Sequence, residues 1–413
     1  MTMKEDLRVY VGYFELDQTA RAAVINVLDS GRISEGKFTN EFEKRFAEFN
    51  DSKYCIATSS GTAAIQAGLI ALGYHSLLKG KKDTARKIIT SPLTYIATVN
   101  AIHFSRYEPV FVDVDPVRFR ILPDEIEKTL EEAGDGASEY AAIIAVHLMG
   151  YPCEMDKLRK IAEKYNLLLI EDTAQAHGSL YNNKKTGSIG LFGAFSFYIA
   201  HNIQAGEMGA IVTDDDQLYR LLKQVKANGR VCDCPVCTRP QGYCPHMPKD
   251  DSGDTDYDPR FTHSILGLNF KTMEFQSALA LSQLKKADTI FAARQRNVRY
   301  YDEHLRKYSD RIQLPEIDKD VSYLAYPMIL RPDSGISRKK LRMELENYGI
   351  ETRPLFGSIP TQQPAYAHLA EQYKGKLPNA DYIGLNGFYI GCHQYLTEAH
   401  LEKVVKTFGR ILG

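Results

Sequence analysis

The feature that most constrains this chain is the regular alternation of apolar strands with helical stretches. "KYCIATSSGTAAIQAGLIAL" (53–72) reads as a strand, a Ser-Gly-Thr turn and an apolar helix. "KIITSPLTYIATVNAIHF" (87–104) repeats the scheme around a proline turn. "EPVFVDVD" and "YAAIIAVHLMG" are strands, "EMDKLRKIAEKYN" is a helix, and "LLLIEDTAQAHGS" is a strand running into a loop. "GLFGAFSFYIA" and "GAIVTDD" add two more strands. Several of these strands are unbroken apolar runs, which predicts a sheet covered on both faces. Such a sheet is mainly parallel and belongs to the α/β class. Two amphipathic helices precede it, "DQTARAAVINVLDSGR", with Gly31 as a stop signal, and "TNEFEKRFAEFN".

The second part of the chain reads differently. "TMEFQSALALSQLKKADTIFAARQRNVRYYDEHLRKY" is expected to be a long helical region bridging two domains. "AYPMILRP", "SRKKLRMELENYG", "IETRPLF" and "EAHLEKVVKTFGRI" then compose a small α+β domain. The expected division is a large domain over 1–285, with a cysteine-rich insertion at 228–260, and a small C-terminal domain over 286–413. A chain of 413 residues, 44% hydrophobic, has enough apolar side chains for two cores. A formal net charge of −1 gives no bulk electrostatic case for nucleic acid or acidic membranes. No segment approaches the roughly 18 apolar residues of a membrane span, and the first residues hold no signal-length apolar run, so a cytoplasmic protein is expected.

In open α/β sheets chemistry gathers at the carboxyl ends of the strands. Ser60-Gly61-Thr62, Asp172 and His201 all fall at or just beyond predicted strand ends. Ser60-Gly61-Thr62 is either a phosphate cradle or an ordinary helix cap. Asp172 is either the partner of a protonated pyridine nitrogen or a capping carboxylate. Ser196 could reach a phosphate or be a plain strand serine. His201 is either a satisfied histidine at a strand end or a base working near neutral pH.

Seven cysteines are present. Cys55, Cys153 and Cys392 are scattered and read as small buried hydrophobes. Cys232, Cys234, Cys237 and Cys244 fall within thirteen residues in a C-x-C-x2-C-x6-C pattern. Four thiolates in a large chain point to a metal or iron–sulfur site in a reducing compartment. Spacing alone favours zinc, although a first pair separated by one residue is atypical for it.

"GKFTNEFEKRFAEFN", "SSGTAAI", "TYIATVNAI", "PVFVDVDP", "VHLMGYPCEMDKLRKIAEKYNLLLIEDTAQAHGS" and "FGAFSF" follow one another in an order that resembles the DegT/DnrJ/EryC1/StrS family across nearly the whole chain. The resemblance implies the fold type I architecture of pyridoxal-phosphate (PLP) transferases, like aspartate aminotransferase. It implies that Gly61, Thr62 and Ser196 cradle the cofactor phosphate and that Tyr95 stacks on the pyridine ring. It implies that Asp172 faces the ring nitrogen and Gln175 the ring hydroxyl. Asn269 would reach the phosphate across a dimer interface, so a homodimer is expected.

Family aminotransferases carry a lysine just beyond the "SF" strand that tethers the cofactor covalently. His201 stands there in this chain. Imidazole cannot make that tether, but it can take up a proton. The histidine is similar to the nucleotide-sugar 3-dehydratase branch, which holds free pyridoxamine 5′-phosphate (PMP). In the iron–sulfur members of that branch, four cysteines follow a Gly-Arg pair like Gly229-Arg230. The resemblance therefore implies a 2Fe-2S cluster on Cys232, Cys234, Cys237 and Cys244, fed by a flavin/iron–sulfur reductase. The implied activity is C3 dehydration of a nucleotide-linked 4-keto-6-deoxyhexose in deoxysugar and lipopolysaccharide O-antigen biosynthesis. The alternative is a cluster-free 3-dehydratase, or a sugar aminotransferase relative, with zinc in the cysteine loop. This sequence departs from the branch in two places: the last cysteine gap is six where seven is expected, and "LFGSIPTQQPAY" lacks an Asn after its Gly. His147, His177 and His393 are expected to be structural.

Overall fold

The computed structural model describes residues 7–78, 84–234, 237–238, 241, 244 and 258–413. The first part of the chain forms α1 (Gln18–Asp29), α2 (Lys37–Phe49), β1 (Tyr54–Thr58), α3 (Gly61–Leu72), β2 (Lys87–Thr90), α4 (Ile96–Phe104), β3 (Glu108–Phe111) and α5 (Pro123–Ala133). It continues with β4 (Tyr140–Val146), α6 (Met155–Tyr165), β5 (Leu168–Asp172), a small hairpin of β6 (Leu180–Tyr181) and β7 (Lys184–Lys185), β8 (Phe192–Ser196), β9 (Gly209–Thr213), α7 (Asp216–Val225) and α8 (Glu274–Leu284). The remainder is α9 (Ala287–Leu305), β10 (Ile312–Gln313), β11 (Tyr326–Leu330), α10 (Arg338–Asn347), β12 (Thr352–Pro354), α11 (Ala367–Tyr373), α12 (Pro378–Asn386), β13 (Gly387–Ile390) and α13 (Glu398–Leu412).

Seven strands make one sheet in the order β1-β9-β8-β5-β4-β2-β3. Pairings from β3 through β8 are parallel, and only β9 runs against its neighbours. The unbroken apolar run of β4 is buried at every position, as a strand covered on both faces requires. One face packs on α5 and α6 through Ile126, Leu130, Leu158 and Ile161. The other packs on α3 and its neighbours through Ala64, Ala67, Leu69 and Leu72. α6 shows how sequence makes such a helix: Met155, Leu158, Ile161 and Ala162 form its buried stripe, and Asn166 ends it in the left-handed region at φ 54°.

A second, antiparallel sheet has the order β10-β11-β13-β12. The architecture is thus the expected fold type I arrangement of a large mixed sheet and a small C-terminal one. Two details differ from the sequence reading. The long helical region is two helices, broken at Lys285-Lys286. α8 packs on α1 and α2, whereas α9 packs on α13, so one straight axis cannot serve both. The start of the described chain also joins the C-terminal part: Val9 bridges Ile350, with its N–H donating to the Gly349 carbonyl at 2.9 Å.

Candidate active site

The strand register brings the chemistry-bearing residues to one edge. Gly209, the first residue of β9, pairs with Thr58 at the end of β1 and with Ser196 at the end of β8. Asp172, at the end of β5, lies opposite Ala194 of β8. Ser60 follows β1 and caps α3, its Oγ accepting from the Ala63 N–H at 3.1 Å. That leaves the N–H groups of Gly61 and Thr62 outside the helix ladder, at the positive end of the helix dipole. A Cβ on Gly61 would sit 2.5 Å from the Ser196 Cβ. Only glycine lets the helix start approach that serine, so the two form one small cradle for an anion.

Asp172 is buried. Thr98 Oγ1 donates to its Oδ2 at 2.6 Å and the Ala174 N–H donates to Oδ1 at 3.2 Å. Burial raises its pKa, and the bond from Thr98 opposes that. Its carboxylate faces no basic side chain in an ion pair among the described residues. A cationic N–H is what such a group lacks. Its neighbour Glu171 points to the other face of the strand and is fully satisfied, accepting from the Gly187, Ile189 and Gly190 N–H groups and from His147 Nε2.

His201 sits in the turn after β8. Its Nδ1 lies 2.9 Å from the Ser196 carbonyl oxygen. A carbonyl only accepts, so Nδ1 carries the proton and Nε2 holds the lone pair. Burial, with Arg294 and Arg353 nearby, lowers its pKa to about 4, against the Ser196 bond that favours the charged ring. The imidazole is therefore neutral across the physiological range, with its basic nitrogen defined.

The other expected positions are distributed unevenly. Tyr95 precedes α4, is 61% exposed, and has its ring 5.9 Å from Phe356. Gln175 is buried and its Oε1 accepts from the Met149 N–H at 2.9 Å. Thr62 is exposed at the first turn of α3. Asn269 is exposed, its Oδ1 accepting from the Lys271 N–H at 3.3 Å. His147 is buried between Glu171 and the Cys153 N–H, and His177 is enclosed by Phe46, Phe195 and Phe197. His393 stacks on Tyr13. Thr98, Arg294 and Arg353 escaped the sequence reading. Thr98 left a faint trace, as the fourth residue after Thr94 on a helix whose start was predicted, and the two hydroxyls lie 2.9 Å apart.

Cys55, Cys153 and Cys392 are buried, as expected of small hydrophobes. Of the clustered four, Cys232 is buried, Cys234 and Cys244 are half-buried and Cys237 is exposed. Burial, followed by the nearby Cys232, Asp233 and Cys244, raises the Cys234 pKa. Among the described residues, no three His, Cys, Asp or Glu side chains converge as a metal-ligand set. Much of the expected insertion at 228–260 lies outside the described residues. A groove of about 750 Å³ runs beside Cys232 and Cys234 and is lined by both signs of charge, Lys223 and Arg230 among the bases and Glu43 and Asp233 among the acids.

Comparison with known proteins places this geometry in context. The sequence model of the DegT/DnrJ/EryC1/StrS aminotransferase family matches residues 15–409. The chain is 32% identical over 408 residues to GDP-perosamine synthase of Caulobacter vibrioides, covering 98% of each. It is 32% identical over 388 residues to the lipopolysaccharide biosynthesis protein RfbH of Salmonella typhimurium, covering 93% of this chain and 87% of that one. Its fold matches a crystal structure of a His-to-Asn variant of GDP-4-keto-6-deoxymannose-3-dehydratase with bound GDP-perosamine. That match has a TM-score of 0.82 and 25% identity, and covers 97% and 99% of the two chains. Among the described residues, no helix is long and apolar enough to cross a membrane.

Proposed function

Because the chain belongs to the DegT/DnrJ/EryC1/StrS aminotransferase family, we propose that it is a PMP-dependent 3-dehydratase of a nucleotide-linked 4-keto-6-deoxyhexose, with His201 as the base. The observation that carries this reading is His201 itself. It stands just beyond β8, where a family aminotransferase would carry its tethering lysine, and the Ser196 carbonyl fixes its lone pair on Nε2.

The residues fit the cofactor. The cradle at Gly61 and Ser196 is closed to any larger side chain and suits a phosphate. Asp172, buried with two donors and without a cationic partner, suits a protonated ring nitrogen. When bound, the pyridoxamine supplies the amine that condenses with the C4 ketone and the electron sink that lets the C3 hydroxyl leave. Asp172 holds the proton on the ring nitrogen, and Thr98 holds Asp172. The neutral imidazole of His201 accepts a proton at Nε2. An imidazole does not compete for the carbonyl as a lysine amine does, so dehydration is favoured over amine transfer.

Cys232, Cys234, Cys237 and Cys244 have the donor chemistry of a 2Fe-2S cluster or of zinc. An iron–sulfur cluster there would supply single electrons from a flavin/iron–sulfur reductase. A homodimer, with Asn269 offered to the second active site, is part of the same reading; Asn269 is exposed.

The test is His201→Lys and His201→Asn, assayed with PMP, a nucleotide-linked 4-keto-6-deoxyhexose and a reductant by mass analysis for loss of water. His201→Asn should lose about a hundredfold or more of the turnover. His201→Lys should gain amine transfer. Full dehydration by the lysine variant with no amine transfer would remove His201 from the base role.

A further inference from the structure

Arg294 lies in the middle of α9 and is completely buried. Among the described residues no carboxylate pairs with it. Its fork instead donates to main-chain oxygens: to the Leu324 carbonyl at 2.7 Å, the Tyr323 carbonyl at 3.3 Å and the His201 carbonyl at 3.2 Å. Nε has no partner. A guanidinium held this way is expensive in free energy, because its charge is out of water with carbonyls and the Cys392 thiol beside it and no carboxylate to balance it. A hydrophobic residue would fill the space at lower cost if packing were the only demand.

The carbonyls it gathers belong to two separate segments. One is the turn that carries His201. The other is the Tyr323–Leu324 segment that leads directly into β11 of the small sheet. Tyr323 holds a left-handed backbone at φ 47°, a conformation that persists only where the surroundings impose it. Asn202, next to His201, makes the same junction from the other side, its Nδ2 donating to the Ser322 and Tyr323 carbonyls, each at 3.1 Å. Ser179 Oγ accepts from the Ser322 N–H at 3.0 Å.

We propose that Arg294 is a positioning residue for His201, tying the turn that bears the base to the segment at the foot of the small sheet. It acts in two ways. Its fork fixes where the His201 backbone sits when the small sheet takes up its place. Its charge disfavours a second positive charge on the imidazole. The other groups that face His201 are Arg353 of β12, His177 from the loop after β5, and Tyr198 of the same turn, whose ring is 5.8 Å away. Among the described residues only Arg294 and Arg353 carry charge there, and of these two Arg294 bonds the His201 backbone.

The inference rests on His201 being the base, and the experiment separates the two claims. Arg294→Lys, Arg294→Met and Arg294→Gln are compared with wild type as cofactor-loaded full-length enzyme. In the neutral variants kcat should fall by about 100-fold with KM within about threefold. The acid limb of their kcat profile should move toward the ordinary imidazole value of about 6.5. Arg294→Lys keeps charge without the fork, so it should lose kcat while leaving the acid limb in place. In parallel, the His201 ring is titrated by NMR in cofactor-free protein, assigned by its absence in His201→Asn. It should titrate higher in the neutral variants than in wild type. Loss of thermal stability alone, with kcat per folded enzyme and the His201 titration unchanged, overturns the proposal. If the neutral variants do not fold, full kcat in Arg294→Lys overturns it. If His201→Asn leaves turnover intact, the functional reading fails while the NMR titration still decides the role of Arg294.

Discussion

Thr98 donates its hydroxyl to Asp172 at 2.6 Å from the helix that starts immediately after Tyr95. The exposed aromatic ring thus caps α4, the helix that carries the hydroxyl orienting the buried carboxylate. Thr98 is itself buried and is braced by Thr94. Removing its hydroxyl should leave the shape of the site intact and loosen one oxygen of Asp172. Thr98→Val should therefore weaken PMP binding by about tenfold, since a hydrogen bond to a charged group contributes about 1.5–3 kcal/mol. Absorbance titration with the cofactor at neutral pH measures this; unchanged affinity would show that Thr98 does not prepare Asp172.

Asp172→Asn should separate stability from function. Burial raises the pKa of Asp172 in the folded chain above its ordinary value. The native state therefore holds this proton more tightly than the unfolded chain, and stability falls as pH rises through that range. Near neutral pH the ionised group is a burden on the cofactor-free protein. The asparagine variant should be more stable without cofactor at pH 7, and the gain should shrink near pH 4. Its turnover should fall at least about a hundredfold. Thermal melts of the cofactor-free proteins at the two pH values, with turnover assays, check both halves.

Two neutral histidines, the buried His393 and the half-buried His201, should make the protein acid-sensitive above the carboxylate range. Burial lowers the pKa of His393 to about 3 and that of His201 to about 4. Both lie below the unfolded value of about 6.5, so the unfolded chain binds protons that the native chain refuses. Stability is complete above about pH 6.5 and is lost as pH falls through this window, by about 1.4 kcal/mol per pH unit for each such histidine. Urea midpoints between pH 7 and 5 report the slope. His393→Gln should flatten it by one histidine's share, and an identical slope would exclude His393 as a contributor.

The cysteine cluster should declare its metal on anaerobic purification. If it holds a 2Fe-2S group, iron and acid-labile sulfide should be present in equal amounts and the protein should be brown. Serine at Cys232 or Cys234 should abolish the colour and the reductant-dependent turnover while PMP still binds. Zinc in a colourless protein would favour the structural alternative.

Several parts of this molecule were legible from the residues in order. The apolar runs of β4 and β5, the turn at Ser60-Gly61 and the polar strand ends at Asp172 and Ser196 are local signals, because side-chain alternation and turn chemistry act over a few residues. They were enough for the layered fold, and they direct attention to the strand ends that the proposed function uses. The role proposed for His201 comes from the family resemblance and not from any local pattern.

Tertiary structure decided the rest, wherever partners lie far apart in the chain. Thr98 meets Asp172 across 74 residues, and Arg294 reaches the His201 carbonyl across 93. Neither pairing has a sequence period, since a buried threonine or arginine acquires its partner only when packing brings a second segment within hydrogen-bond range. The same holds for the reversed direction of β9 and for the attachment of Val9 beside Ile350. The protonation of His201 belongs to this class too. Its residue type is written in the chain, but which nitrogen is basic depends on a carbonyl that the folded turn presents to it.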